Sequence, residues 1–423
     1  MTTAVLFLSF LLLLLIGVPV GISLGVASML AILTLPFVNM EFFIQGLVSG
    51  LDSFPLLAVL LFTLAGNLMS RGGISDRLLH LAEVYLGHVS GGLGLVTIVA
   101  CIFFASISGT GSATVAAIGL TMIPIMVERG YDRGFAAAAV ATSGGIGVII
   151  PPSVVMIVYA VTAEVSVTDM FTAGILPGLF VGGVLIAYCF VQARRAGYRG
   201  VDKVYTRAEK WQAILDAKWA LLIPVIILGG IYSGIFTPTE SAAIGVVYGL
   251  IFGFWVYREL SVRQLFEIVL ESSLLVGAVL VIVGTSVAFG RVLTLERIPS
   301  EIATAILSIT ENGVLILLAI NLLLLIVGTF METLAAIVIL TPILLPIALE
   351  LGVDPVHFGI IMVVNLAIGF VTPPLGANLF MASQVGQVSL EKLSRAIGGW
   401  IIAMLVALAV ITFVPGVSLA LLN

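Results

Sequence analysis

The chain is poor in charge. Of its 423 residues only 9% are Asp, Glu, Lys or Arg, while 61% are hydrophobic. With a mean hydropathy of +1.28, such a composition cannot clothe a water-soluble core; it makes a polytopic membrane protein. Cysteine is nearly absent. Cys101 and Cys189 stand alone inside apolar runs, which excludes a disulfide frame and a thiolate metal site. The three histidines, His80, His88 and His357, fall in connections where water is expected to reach them. No HExxH, no cysteine pair and no GxxxxGK[ST] occurs, so an embedded enzyme, a transition-metal site and an ATP-driven pump lack their residues. Nothing suggests a nucleic-acid partner or an organic cofactor. A basic segment ahead of the first apolar run is missing as well, so that run reads as a retained span rather than a signal peptide.

What the sequence does have is an interruption, twice. At 144–153, GGIGVIIPPS, consecutive Pro151 and Pro152 delete two backbone donors and push the preceding residue out of the helical region. A helix arriving from 135 must break there. At membrane depth lipid cannot satisfy the freed carbonyls, so the break persists only where protein, water or an ion takes them up. About 222 residues later Pro373 and Pro374 break another apolar run, 369–375, GFVTPPL.

The recurrence extends beyond the prolines. SISGTGSATVAAI (106–118) answers to LIVGTFMETLAAI (325–337), matching Gly109, Thr110 and Thr114 with Gly328, Thr329 and Thr333. IPIMVERGYD answers to LPIALELGVD, carrying Pro124, Glu128, Gly130 and Asp132 onto Pro346, Glu350, Gly352 and Asp354. Ordered matches at nearly constant offset imply an internal duplication.

In order, 1–195 form the first copy: apolar runs at 4–17, 19–35 and 53–70, a surface connection around 40–50 and an interfacial helix at 74–90. A helical hairpin follows at about 92–128, then a broken span at 134–163 and a full span at 169–193. The hairpin's first apolar run, 93–105, covers only about 20 Å against a hydrocarbon core of about 30 Å, so it is expected to re-enter. The linker 196–217 leads to the second copy, 218–423. That copy has spans at 219–235, 238–257 and 271–290, a lateral amphipathic helix at 258–271, a hairpin at about 313–349 and a broken span at 356–384. Thr237-Pro238-Thr239-Glu240 is a capping box with proline at the first helical position.

If the hairpins make no net crossing, each copy crosses five times, and an odd number inverts the second copy. The basic linker is cytoplasmic by the positive-inside rule. Propagating that choice puts all of the 17 basic residues inside except Arg291 and Arg297, with both termini outside. The expected fold is therefore all-α, with inverted repeats whose hairpin tips meet near the midplane, each facing a broken span.

Such a site suits an anion and a small cation together. Helix starts offer N–H groups; unwound stretches and helix ends offer carbonyls. One Na+ shell is assigned to Ser106, Gly109, Gly147, Ile150 and Ser153, and the matched one to Gly328, Gly369, Thr372 and Leu375. Ser108, Thr110, Ser112, Thr329 and Asn378 are the candidate substrate contacts. A Gly/Ser/Thr cluster alone usually marks close helix packing; here the prolines and the duplication favour a site. Glu332 at the second tip either binds a cation or caps a helix start. Arg291 either meets an anion or snorkels.

At these residues the sequence resembles a family. GNLMSRGGISDRL, LGHVSGGLG, SISGTGSATVAAIG, GYDRGFAAAAVA, GVIIPPS, TPTESAA and GFVTPPLGANLF are similar, in order and across almost the whole chain, to the large membrane subunit (DctM) of tripartite ATP-independent periplasmic (TRAP) transporters. The resemblance implies Na+-coupled uptake of carboxylates such as C4-dicarboxylates, sialic acid or sugar acids, delivered by a DctP-type periplasmic binding protein. It further implies a bacterial inner-membrane location, a separate DctQ-type four-helix subunit and an elevator movement of the hairpin domain against a scaffold. Many relatives carry serine where this tip has Thr110. A stand-alone Na+/carboxylate symporter of the same design is the alternative.

Overall fold

A computed structural model describes residues 2–200, 203, 205–310 and 312–422, and among these every regular element is helical. Nine helices are long and apolar enough to cross a membrane, among the described residues. The protein is a multi-pass membrane protein. Local sequence chemistry sets the helix starts. Thr206 with Glu209, Thr237 with Glu240 and Ser261 with Gln264 form reciprocal capping boxes at the heads of Arg207–Tyr232, Pro238–Ile251 and Val262–Leu295. Asp132 and Asp354 cap Arg133–Gly145 and Pro355–Gly369 through the N–H groups of Phe135 and of Val356 and His357.

Those last two helices are the centre of the molecule, buried along nearly their whole length. They cross where a side chain on Gly145 would lie 3.3 Å from the Ala367 carbonyl. The alanine run 136–139 and the glycine pair 144–145 leave room for that approach. Each helix ends at a Pro-Pro break and resumes, as Val154–Ala163 and as Ala377–Gly386. Both Pro-Pro peptide bonds are cis. Two helical hairpins pack on them: Gly92–Ser108 with Gly111–Glu128, and Gly313–Phe330 with Thr333–Glu350.

Around this centre stand Val20–Ile32, Phe54–Arg71, Pro238–Ile251 and Val262–Leu295. On the face where the linker lies, ion pairs knit the chain. Arg71 meets Glu267 and Glu271, Arg77 meets Glu259 at 2.9 Å, and Lys392 meets Asp132 at 2.8 Å. The linker is held there too, since the Gly91 N–H donates to the Tyr198 carbonyl at 3.1 Å. At the linker's end the Glu209 carboxyl is lowered to about 2 by the Thr206 N–H and by Lys203.

Three expectations need correction. The segment 258–271 is no separate lateral helix: Val262–Leu295 runs unbroken for 34 residues, because no glycine or proline interrupts the passage from its charged start to its apolar body. The hairpin arms are also longer than the apolar runs suggested. Gly92–Ser108 has 17 residues and the other three arms 18 each, the latter long enough by themselves to span. In the first hairpin the helix runs on through small polar residues to the tip, where one left-handed residue, Gly109, reverses the chain; in the second, extended Met331 and Glu332 make the reversal. Finally, His357 is 2% exposed. It lies in the first turn of the central helix, with Nε2 3.4 Å from the Thr412 carbonyl.

Candidate functional site

The first hairpin tip is a closed ring of hydroxyl and carbonyl groups. Thr114 donates to the Thr110 carbonyl at 2.8 Å, and Ser108 Oγ lies 3.1 Å from Thr114 Oγ1. Gly109 has φ +64°, and a side chain there would strike the Pro152 carbonyl at 2.7 Å, so the position accepts glycine alone. Its own carbonyl accepts from the Val154 N–H at 3.3 Å, which ties the tip to the resumed half of the broken helix. Gly147 brings its backbone against the Thr110 carbonyl and Thr114 Oγ1; both lie 2.7 Å from where its Cβ would be. Ser153 closes the break by donating to the Val148 carbonyl at 2.7 Å and capping the Met156 N–H at 3.3 Å.

Gly109, Gly147, Ser108, Thr110 and Ser153 thus converge. Ser106 turns back to the Phe103 carbonyl at 2.6 Å. Thr114 is the contact that sequence reasoning passed over as a ligand. Its signal was present in the repeat, where it matches Thr333.

The second tip is built differently. Glycine meets glycine, with the Gly328 carbonyl carbon 2.5 Å from where a Gly369 Cβ would stand. Thr329 and Thr372 both donate back into their own helices, to Leu325 and Ile368. Leu375 is exposed. Glu332 caps the returning arm, accepting from the N–H groups of Leu334 and Ala335 at 3.0 and 3.2 Å. Thr333 Oγ1 is buried without a hydrogen-bond partner among the described residues, an arrangement that calls for a ligand or water.

One cavity of about 530 Å³ joins the halves. It is lined by Thr110, Gly111 and Ser112 from the first tip and by Glu332, Leu334 and Ala335 from the second. Val148, Val154 and Phe370 at the two breaks and the helices around 19–22 and 275–282 complete it. Two helix starts face it, at Gly111, where Thr110 makes no side-chain cap, and at Val154. At Gly111 the leading N–H groups are free and, with the helix dipole, suit an anion, whereas at Val154 the Val154 and Met156 N–H groups are already taken by the Gly109 carbonyl and Ser153. Of the proposed substrate contacts, Thr110 and Ser112 line this cavity, whereas Ser108, Thr329 and Asn378 do not. Asn378 lies behind the helix start instead, its Nδ2 3.1 Å from the position of a Gly111 Cβ, with a buried, unpartnered Oδ1.

A second cavity, about 740 Å³, opens on the face away from the linker between 49–53, 161–164 and 286–295. Arg291 lines it with Asp52 and Glu164, and donates to Ser49 at 2.7 Å.

Comparison with known proteins gives a consistent result. Residues 7–417 match the family model described as the DctM component of tripartite ATP-independent periplasmic transporters. The chain is 50% identical over 415 residues to the isethionate TRAP transporter permease protein DctMQ of Oleidesulfovibrio alaskensis, covering 98% of this chain and 65% of that protein. It is 43% identical over 402 residues to the C4-dicarboxylate TRAP transporter large permease protein DctM of Pseudomonas aeruginosa, covering 95% of this chain and 94% of that one. In fold it is similar to MtrF of Neisseria gonorrhoeae, with a TM-score of 0.65 at 13% identity over 93% of this chain and 94% of that one. The two sequence relatives are named as transporter permease proteins, not enzymes.

Proposed function

Because the chain belongs to the DctM family and is the large permease subunit of a TRAP transporter, we propose that it imports a small organic anion by coupling it to Na+. The observation that carries this reading is the shared cavity, where both hairpin tips and both Pro-Pro breaks meet. The anion sits against the free N–H groups at the Gly111 helix start and the hydroxyls of Thr110 and Ser112. Na+ takes carbonyl and hydroxyl oxygens beside each break: Gly109, Gly147, Ile150 and Ser153 with Thr114 in one half, and Gly328, Gly369 and Thr372 with Thr333 in the other. Such sites need no acidic ligand, because unwound backbone supplies the oxygens.

Alternating access follows if the hairpins and broken helices move as one body against Phe54–Arg71 and Val262–Leu295. In this reading the two halves are inverted repeats, the linker is cytoplasmic and both termini face the periplasm. A periplasmic binding protein delivers the substrate, and a small membrane subunit completes the assembly. The relatives' substrates, isethionate and C4-dicarboxylates, define the class to try first, with sialic acid beside them.

The test is uptake by proteoliposomes containing the chain, its small subunit and its binding protein. Accumulation of one of these anions under an inward Na+ gradient, without ATP, is expected. Accumulation that needs ATP, or that the chain achieves without a binding protein, overturns the tripartite reading.

A further inference from the structure

The second half carries a polar cluster that neither the cavity nor the breaks use. Asn321 on the arm Gly313–Phe330, Asn365 on Pro355–Gly369 and Thr412 on Leu390–Phe413 meet among apolar side chains. Asn365 Nδ2 donates to both the main-chain and side-chain oxygens of Asn321, at 2.9 and 2.8 Å. Asn321 Nδ2 donates to the Leu317 carbonyl at 2.9 Å and reaches Thr412 Oγ1 at 3.4 Å. Every amide hydrogen is therefore engaged. What remains is oxygen: Asn365 Oδ1 is buried without a partner, and Asn321 Oδ1 keeps a second lone pair beside it.

Membrane proteins use interhelical amides to hold helices together, but a pair placed only for that purpose has no reason to strand an acceptor in a residue with 0% exposure. Rotating the Asn365 amide does not relieve the excess, since its oxygen would then face two oxygens of Asn321. Rich in oxygen, with every amide hydrogen spent and Asn365 and Thr412 buried, the cluster has the chemistry of a hard-cation site. Among the described residues the first half shows no counterpart. Ser143, 222 residues before Asn365, turns its hydroxyl back to the Ala139 carbonyl at 2.6 Å.

We propose that Asn321, Asn365 and Thr412 form a third monovalent-cation site, sized for Na+ and distinct from the two beside the Pro-Pro breaks. The proposal rests on the Na+-coupled reading above and extends it. Asn365 lies one helical turn before Gly369, so a cation there fastens the second hairpin arm to the broken helix just behind the second break.

The test counts bound cations in the purified chain with its small subunit, by equilibrium dialysis against radioactive Na+. Asn365→Leu keeps the branched shape and heavy-atom count of the side chain and is expected to bind one Na+ fewer than wild type. A folded N365L protein with the full wild-type number overturns the proposal and leaves the coupling reading standing. Wild type that binds no Na+ overturns both. Should N365L fail to fold, Thr412→Val removes one oxygen without added bulk. It is expected to weaken one class of Na+ site several-fold at an unchanged total, and an isotherm identical to wild type overturns the proposal. Density for water rather than an ion at the cluster, in saturating Na+, does the same.

Discussion

The two hairpin tips follow one plan and satisfy it with different chemistry. At the first, Ser108, Thr110 and Thr114 bond to one another, and the Gly109 carbonyl is tied to Val154. At the second, Thr329 and Thr372 bond only within their own helices, the Thr333 hydroxyl is left over, and contact with the break is made by bare glycine backbone. The first tip is therefore organised before any ligand arrives. The second leaves the Thr333 hydroxyl without a partner among the described residues and bonds none of its hydroxyls across the tip, so more of its order must come from what it binds. Matched positions thus carry different chemistry, and in the proposed function the two tips divide their dependence on ligand.

The sharpest way to break this comparison is at the glycines. Gly369→Ala places a methyl within 2.7 Å of three Gly328 backbone atoms, none of which can rotate away. Transport is expected to fall by about 5- to 150-fold, in line with overpacking worth about 1–3 kcal/mol directly at the site. Gly328→Ala meets a flexible Leu366 methyl at 3.0 Å instead and is expected to be milder. Equal losses from the two, measured as Na+-driven uptake at matched expression, would remove the proposed asymmetry of the contact.

The hydroxyls sharpen it further. Thr114→Val deletes a bonded group, and its loss is expected to lower the melting temperature in Na+-free buffer, by about 1 kcal/mol in stability. Thr333→Val deletes an unpartnered group, so Na+-free stability is expected to hold or rise, while the extra stability conferred by Na+ shrinks. A T333V protein stabilised by Na+ as strongly as wild type would take that hydroxyl out of the second site.

The smallest expected effect concerns the helix starts. Asp132 and Asp354 cap equivalent helices, but Asp132 also pairs with Lys392. Partial burial opposes ionisation, yet Lys392 and the N–H groups of Phe135 and Gly134 hold the Asp132 carboxyl below its usual value. Its contribution is thus complete above the unfolded-state value of about 4 and is lost as pH falls through the lower folded-state value. Exposure limits the pair itself to under about 1 kcal/mol. Asp132→Asn is expected to flatten the acid limb of melting temperature against pH slightly; an unchanged limb would show the pair is idle.

Much of this was legible in the sequence because proline and glycine act locally. Pro151-Pro152 and Pro373-Pro374 marked the breaks and Thr237 to Glu240 marked a helix start, each through its own backbone chemistry. Continuity was harder to read. The charged stretch 258–271 carries no residue that stops a helix, so amphipathic pattern alone suggested a boundary that Val262–Leu295 does not have. Burial was hardest. His357 and Asn365 look like a connection residue and an isolated polar residue, and only packing against Thr412 and Asn321 reveals that both are enclosed. Thr114 was visible as a repeat match, but nothing in one sequence says that its hydroxyl turns toward the tip.

The most direct measurement is an experimental structure of the assembled transporter in saturating Na+, at a resolution that distinguishes ions from water. The account predicts ion density coordinated by main-chain oxygens beside both Pro-Pro breaks, with the Thr333 hydroxyl recruited at the second, and loss of that density when choline replaces Na+. Both breaks filled by water alone, unchanged by the exchange, would contradict it.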